Sequence, residues 1–330
     1  MKRSALRDVR TWLVGGALVL VLCALVMPRI NLKRDAYDVV AVVDITTSMN
    51  TRDMTVGDEK VSRMQAAKLA LRGMLARLPC QSRLGLGFFT ERRSFLLFNP
   101  IEVCENFAAI DEAIAMLDWR MAWEGDSYVS KGLYSAIDIA RDLKADLVFV
   151  TDGHELPPLP FSGLSPFEGK PGDVRGMIVG AGGRTATPLL KYDDDGREVG
   201  TYSQQDVPQE NRAGPPPPDA ASRPGYHPKW APYGNAVVNN NEHMATVREA
   251  YLKQLAAVTG LSYVYLGDTP DLAPPLMAAA RGRPLKVATD VSAVPGGLAL
   301  AMLVLLYGLG ALAVLKAPVL SVFNPSKGAI

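Results

Sequence analysis

Three short stretches, far apart in the chain, carry oxygen-bearing side chains at spacings that suit a hard metal ion. Asp44, Thr46 and Ser48 occupy alternate positions after an apolar run. Ser127 follows Gly125 and Asp126, just ahead of a helical pattern that begins near Ser130. Thr151, Asp152 and Gly153 close a second apolar run. Alternation along an extended chain would turn residues 44, 46 and 48 to one side and Ile45 and Thr47 to the other. Two carboxylates with neighbouring hydroxyls make an oxygen-lined pocket, the kind that hard divalent cations, Mg²⁺ above all, prefer.

Other chemistry fits these residues less well. A phosphotransferase that uses a strand-terminal Asp as nucleophile needs a second carboxylate two residues on. That position is Thr46, which leaves no acid for the leaving group. His154, His227 and His243 are scattered without metal-ligand spacing, and His154 is expected on the rim of the pocket. If Asp44 and Asp152 were plain helix caps, the hydroxyl spacing would go unexplained. Asp193, Asp194 and Asp195 before Gly196 lack the alternating ligands and distant Glu of a calcium loop and read as a hairpin turn. With no Gly-rich phosphate loop and no nucleophile–base pair in view, the expectation is a binding protein rather than an enzyme.

Such a pocket needs strands that end together. Residues 38–43 and 146–151 are apolar runs of the buried-strand type, each ending beside an Asp, and 174–179 and 261–266 read likewise. Residues 83–90 and 94–98 form a hairpin pattern about Glu91, Arg92 and Arg93. Helical spacing marks 60–78, 110–117, 131–143 and 251–258. Alternating strands and helices predict an α/β fold, doubly wound, with a mostly parallel sheet covered on both faces. Ligands in such folds collect at the carboxyl ends of the strands. Two stretches interrupt the pattern: 155–172 holds five prolines and 206–232 holds eight, so neither suits a helix or a central strand. Both are expected as surface loops.

Taken in order, the three site stretches resemble the metal-ion-dependent adhesion site of von Willebrand factor A domains: D-x-S-x-S, a Thr ahead of a helix, then T-D-G. Thr46 stands for the first Ser and Ser127 for the Thr, with Gly132 and Leu133 at the family's offset. The resemblance implies that Thr46 and Ser48 bind the cation directly, Ser127 in some states, and Asp44 and Asp152 directly or through water. It implies one divalent cation, Mg²⁺ with Mn²⁺ or Ca²⁺ as alternatives, and a partner protein that offers an acidic side chain to it. The likeness runs over residues 36–268 and is nearest to bacterial membrane-anchored members that act with an AAA+ ATPase in aerotolerance-type operons. Arg63, Lys68, residues 86–89, Asp194, Gly196, Leu255, Ala256, Thr259 and Gly260 match that layout. Residues 44–53 further resemble the von Willebrand A proteins of methanol-oxidation operons, which implies a part in maturing periplasmic methanol dehydrogenase and loading its metal. An aerotolerance-type role, or a metal-independent tether working through the Pro-rich stretches, stays open beside it.

Two apolar runs bracket this domain, 11–28 and 291–315, with 18 and 25 uncharged residues. A hydrocarbon core takes about 20 apolar residues in a helix, so two transmembrane helices are expected. The first could instead be a signal peptide, but no small-x-small site follows it, and Leu22 before Cys23 is too bulky for lipid attachment. Lys2, Arg3, Arg7 and Arg10 before the first run and Lys316 and Lys327 after the second place both tails, including 316–330, in the cytoplasm. The domain then lies in the periplasm, held on a bacterial inner membrane. Thirty-five basic against 34 acidic residues leave a net charge of +1, without the basic patch of a nucleic-acid binder. Cys80 and Cys104 flank the 83–98 hairpin at one end. An oxidising periplasm permits a disulfide there, two buried thiols being the alternative. Replacing Asp44 or Asp152 by Ala is expected to leave a folded domain, since neither belongs to an apolar run.

Overall fold

The computed structural model describes residues 9–26, 30–123, 125–159, 163–207, 216, 218–228, 231–234 and 242–315. It separates into a unit Asp35–Pro284 and a unit made of Met1–Arg34 with Leu285–Ile330. In chain order the elements begin with α1 (Val9–Val26), β1 (Ile30–Ala36), β2 (Asp38–Asp44), β3 (Met54–Val56), β4 (Glu59–Val61) and α2 (Arg63–Arg77). The next are β5 (Arg83–Thr90), β6 (Arg93–Glu102), α3 (Phe107–Ala115), α4 (Val129–Asp142), β7 (Asp146–Thr151) and β8 (Gly176–Gly180). Short strands β9 (Thr187–Pro188), β10 (Leu190–Tyr192), β11 (Glu198–Thr201) and β12 (Met244–Ala245) precede α5 (Glu249–Thr259) and β13 (Ser262–Tyr265). Last come α6 (Ala273–Ala279), β14 (Arg283–Thr289) and α7 (Ala293–Leu315).

Strand β2 is the spine of the larger unit, buried from Val39 to Asp44, which is why its sequence is an unbroken Val/Ala run rather than an alternating one. The sheet order is β13-β8-β7-β2-β5-β6; all neighbours are parallel except β6, which returns antiparallel to β5. Val39, Ala41 and Val43 pack with Met64, Leu71, Leu75, Ile110 and Leu276 from α2, α3 and α6. Val40 and Val42 pack on the other face with Leu133, Ile137, Leu252 and Leu255 from α4 and α5. This is the expected three-layer, doubly wound arrangement. From β2 the chain winds outward to β5 and then returns to place β7 on the opposite side of β2. That reversal opens a crevice at the carboxyl ends of β2 and β7.

Local chemistry shifts several expected boundaries. The helix expected at 60–78 begins at Arg63, because β4 pairs with β3 in a small ribbon and the Ser62 hydroxyl caps α2 by accepting from the Gln65 N–H at 3.1 Å. After Asp44 the chain does not stay extended: Thr47–Asn50 is a single 3₁₀ turn. The 193–196 stretch is a turn between β10 and β11, where the Asp193 carboxylate accepts from the N–H groups of Asp195 and Arg197 at 3.1 and 2.8 Å. Of the Pro-rich stretches, 160–162, 208–215, 217 and 229–230 lie outside the described residues. Cys80 and Cys104 form a disulfide with Cα atoms 5.3 Å apart, closing the open end of the β5–β6 hairpin.

In the smaller unit α1 and α7 pack side by side, and β1 pairs with β14 in a two-stranded ribbon. Among the described residues α1 is the helix long and apolar enough to cross a membrane. The run expected as a second span, 291–315, forms α7, which begins at Ala293 after the Ser292 N–H is taken by the Asp290 carboxylate at 2.8 Å. Its apolar stretch with described side chains, Ala293–Gly308, falls short of a full span. Residues 27–28 of the first run and the tail 316–330 lie outside the described residues.

Candidate metal centre

Asp44 ends β2 with no exposed surface, and three donors hold its carboxylate. Oδ1 accepts from the Thr46 N–H at 2.9 Å and the Thr46 hydroxyl at 2.7 Å; Oδ2 accepts from the Thr151 hydroxyl at 2.6 Å. Thr46 in turn lies 3.3 Å from the Ser48 hydroxyl, oxygen to oxygen. The three side chains converge because the 3₁₀ turn wraps residues 46–48 back over the strand end, and not by strand alternation. Ile45 does go to the core, but Thr47, expected on the far side, lines the same cavity as Thr46 and Ser48.

Asp152 follows the end of the adjacent strand β7 and is equally buried. Its Oδ1 accepts from the His154 N–H at 2.8 Å. Its Oδ2 accepts from Arg63 Nη1 at 2.5 Å. Arg63, fully buried, reaches Asp53 through Nε at 2.9 Å and through Nη2. One guanidinium therefore ties the start of α2 to the Asp53 loop and to the end of β7. Gly153 sits at φ +79°, where a side chain would be strained and its Cβ would stand 3.1 Å from Leu252. The tight turn lets the Gly153 N–H reach the Thr151 hydroxyl at 3.0 Å.

Ser127 arrives from the loop before α4. Its N–H donates to the Leu156 carbonyl at 2.7 Å and its carbonyl accepts from the Leu156 N–H at 2.8 Å, so backbone pairing fixes the residue. Helix α4 can approach the sheet closely because position 132 is glycine: a Cβ there would fall 2.1 Å from the Phe89 ring. Thr46, Ser48, Ser127 and His154 line one cavity of about 580 Å³; the Asp44 carboxylate is bonded by the Thr46 hydroxyl and the Asp152 carboxylate by the His154 N–H, each donor a residue of that lining. The Ser127 hydroxyl is buried there without a hydrogen-bond partner among the described residues.

Electrostatics separate the two carboxylates. Burial, reinforced by the charge of Asp152, pushes Asp44 up to about 7, against the hydrogen bonds from Thr151 and Thr46. Burial pushes Asp152 up as well, but the Arg63 charge, His154 and the nearby Ser48 hydroxyl outweigh it and hold that carboxyl below the usual range. Burial and the Arg248 charge push His154 down to about 4, leaving a neutral ring at neutral pH. His154, expected on the rim, is only 2% exposed. The donor set fits a hard cation: two carboxylates and three hydroxyls, one of them the orphaned buried Ser127 oxygen that such an ion would satisfy. Among the described residues no group of three or more His, Cys, Asp or Glu could hold a metal, so a cation here depends on the hydroxyls.

Two residues that matter here were not singled out for these roles from sequence. Arg63 is the first residue of α2, where the helix dipole disfavours a cation; that misplaced charge is the signal that could have exposed its role. Glu155 is buried and accepts from the Ser130 N–H at 3.1 Å and from the Tyr251 hydroxyl. It caps α4 from a distance where Tyr128 at the cap offers no side-chain bond.

Residues 39–154 match the family profile of the von Willebrand factor type A domain. No curated protein matches the chain. Among solved structures, an aerotolerance-related membrane protein from Bacteroides fragilis aligns at 11% identity and TM-score 0.44, over 74% of this chain and all of that one. An uncharacterised membrane-spanning protein from Vibrio fischeri aligns at 15% identity and TM-score 0.26, over 73% of this chain and 97% of that one. A von Willebrand factor type A protein from Catenulispora acidiphila aligns at 18% identity and TM-score 0.31, over 44% of this chain and 33% of that one. The profile match spans both strand ends that carry Asp44 and Asp152, so residues 39–154 are similar to a von Willebrand factor type A domain.

Proposed function

We propose that this protein is a membrane-anchored binding module, not an enzyme, whose domain captures partner proteins through one divalent cation. Asp44, Thr46, Ser48, Ser127 and Asp152 hold the ion, Mg²⁺ in the first instance, and an acidic side chain of the partner completes its coordination. The observation that carries this reading is the buried, unpartnered Ser127 hydroxyl facing the same cavity as the Thr46 and Ser48 hydroxyls. A buried polar atom left unpaired is costly, and a cation supplies its missing partner. The domain works on the outer face of a bacterial inner membrane, with α1 and α7 as its two spans. Residues 44–53 and the disulfide favour an accessory role in maturing an exported metalloenzyme, methanol dehydrogenase being the one the sequence resemblance names.

The test is a pull-down of periplasmic proteins on the full chain with Mg²⁺, with chelator, and with Asp44→Asn. The expected result is capture in the first condition alone, together with a Mg²⁺-dependent rise in melting temperature. Equal capture in all three sinks the metal reading and leaves a metal-independent tether.

A further inference from the structure

We propose that His154 and the insertion between β8 and α5 make the metal cavity a reading pocket for two adjacent features of a partner segment, a carboxylate and the apolar side chain beside it. The inference rests on the metal reading above and adds what the partner must look like. His154 lines the cavity at 2% exposure, and neither ring nitrogen has a hydrogen-bond partner among the described residues. An imidazole always carries at least one N–H donor, so a buried ring with no acceptor among the described residues is free to donate to a bound ligand. A carboxylate with one oxygen on the cation has a second oxygen free to accept that N–H.

Part of the cavity wall belongs to the insertion. Leu189 and Val207 are nearly buried yet line the cavity, as does Leu156. This wall is built into the fold: the Leu189 N–H donates to the His243 carbonyl at 3.1 Å, and the Tyr202 N–H donates to the Leu189 carbonyl at 2.9 Å. The rings of Trp119 and Tyr192 meet at 4.6 Å, and Arg52 pairs with Glu198 at 2.7 Å, so the insertion is tied back to the loops around the site. A walled cavity of about 580 Å³ admits a slender loop tip or chain end rather than a broad protein face. Asp206 also lines it, engaged by Lys191 at 3.1 Å and by Ser203. A carboxylate in that wall repels a second acid next to the first and favours an apolar neighbour.

The probes are three fluorescein-labelled pentapeptides, Gly-Ser-Asp-Leu-Gly, Gly-Ser-Asp-Gly-Gly and Gly-Ser-Asn-Leu-Gly. Each is titrated into the full chain in detergent micelles with Mg²⁺ and with EDTA. The Asp-Leu peptide should bind about tenfold tighter than Asp-Gly, and His154→Leu should weaken it by about tenfold while the Mg²⁺ shift in melting temperature is unchanged. His154→Gln, which restores a donor, should recover part of that loss. Mg²⁺-dependent binding of both Asp peptides with equal affinity, indifferent to His154→Leu, overturns this inference and leaves the metal reading standing. No preference for either Asp peptide over the Asn peptide in Mg²⁺ removes the metal reading itself. Binding of free 4-methylpentanoate as tight as that of the Asp-Leu peptide makes the cavity a small-molecule site and overturns the partner assignment.

Discussion

At the scale of single residues, the two aspartates that look equivalent in the motif do different work. Asp152 is the counter-charge of a fully buried guanidinium, at 2.5 Å from Arg63, whereas the Asp44 carboxylate is held by two hydroxyls and an amide and repelled by Asp152. Removing one partner of a buried ion pair leaves the other charge uncompensated. Asp53 still holds Arg63 on its other edge, which limits the damage. Asp152→Ala should therefore lower stability by roughly 3 kcal/mol in chelator, read by urea or thermal denaturation. Asp44→Asn should unfold like the parent in chelator and lose the Mg²⁺ shift. An Asp152→Ala variant as stable as the parent would refute the assignment of Arg63 as its partner. The sequence expectation that either aspartate could be replaced by Ala and leave a folded domain rested on apolar runs alone and took no account of their complete burial. The partner, 89 positions away in the chain, has no local signal beyond an Arg at the start of a helix. The grouping of these side chains was legible, since hydroxyl and carboxylate spacing is written within five residues at 44–48 and within three at 151–153.

At the scale of elements, the central strands were legible because a strand buried on both faces must be continuously apolar. What the sequence hid were the short pieces that aim side chains, such as the 3₁₀ turn at Thr47–Asn50 and the β3–β4 ribbon, which bury too little to leave a periodic pattern. The α4–sheet contact is a case where one atom decides. A Cβ at Gly132 would stand 2.1 Å from Phe89, so Gly132→Ala must push α4 outward and carry the Ser127 loop with it. Overpacking of this kind costs about 1–3 kcal/mol, and the Mg²⁺ shift in melting temperature should shrink along with stability. A stable Gly132→Ala protein with an undiminished shift would separate α4 from the site. At the other end of the sheet Asp38 clips β2 to Arg83 at 2.8 Å and to Arg283 at 3.2 Å. Burial raises its carboxyl, but the two guanidinium groups outweigh that and hold it below the ordinary 3.8. A depressed carboxyl contributes stability that is complete above its unfolded value and fades as pH falls through the lower folded one. The parent should lose melting temperature below pH 4 more steeply than Asp38→Asn, and parallel acid profiles would show that the clip contributes nothing.

At the scale of the whole molecule, the question is which side of a membrane the domain faces. The apolar helix α1 and the positive residues before it, Lys2, Arg3, Arg7 and Arg10, favour a cytoplasmic start. The Cys80–Cys104 bridge is an independent pointer, because disulfides persist in oxidising compartments and are reduced in the cytosol. Both observations fit the proposed placement of the domain outside. Reporter fusions at residue 150 and at residue 328 should give periplasmic and cytoplasmic signals respectively. In the same cells Cys80 and Cys104 should resist alkylation until a reductant is added, since the bridge closes a 24-residue separation and contributes roughly 3 kcal/mol. A cytoplasmic signal at 150 with freely alkylated thiols would turn the domain inward. A periplasmic signal at both positions would leave α1 as the sole span and overturn α7 as the second.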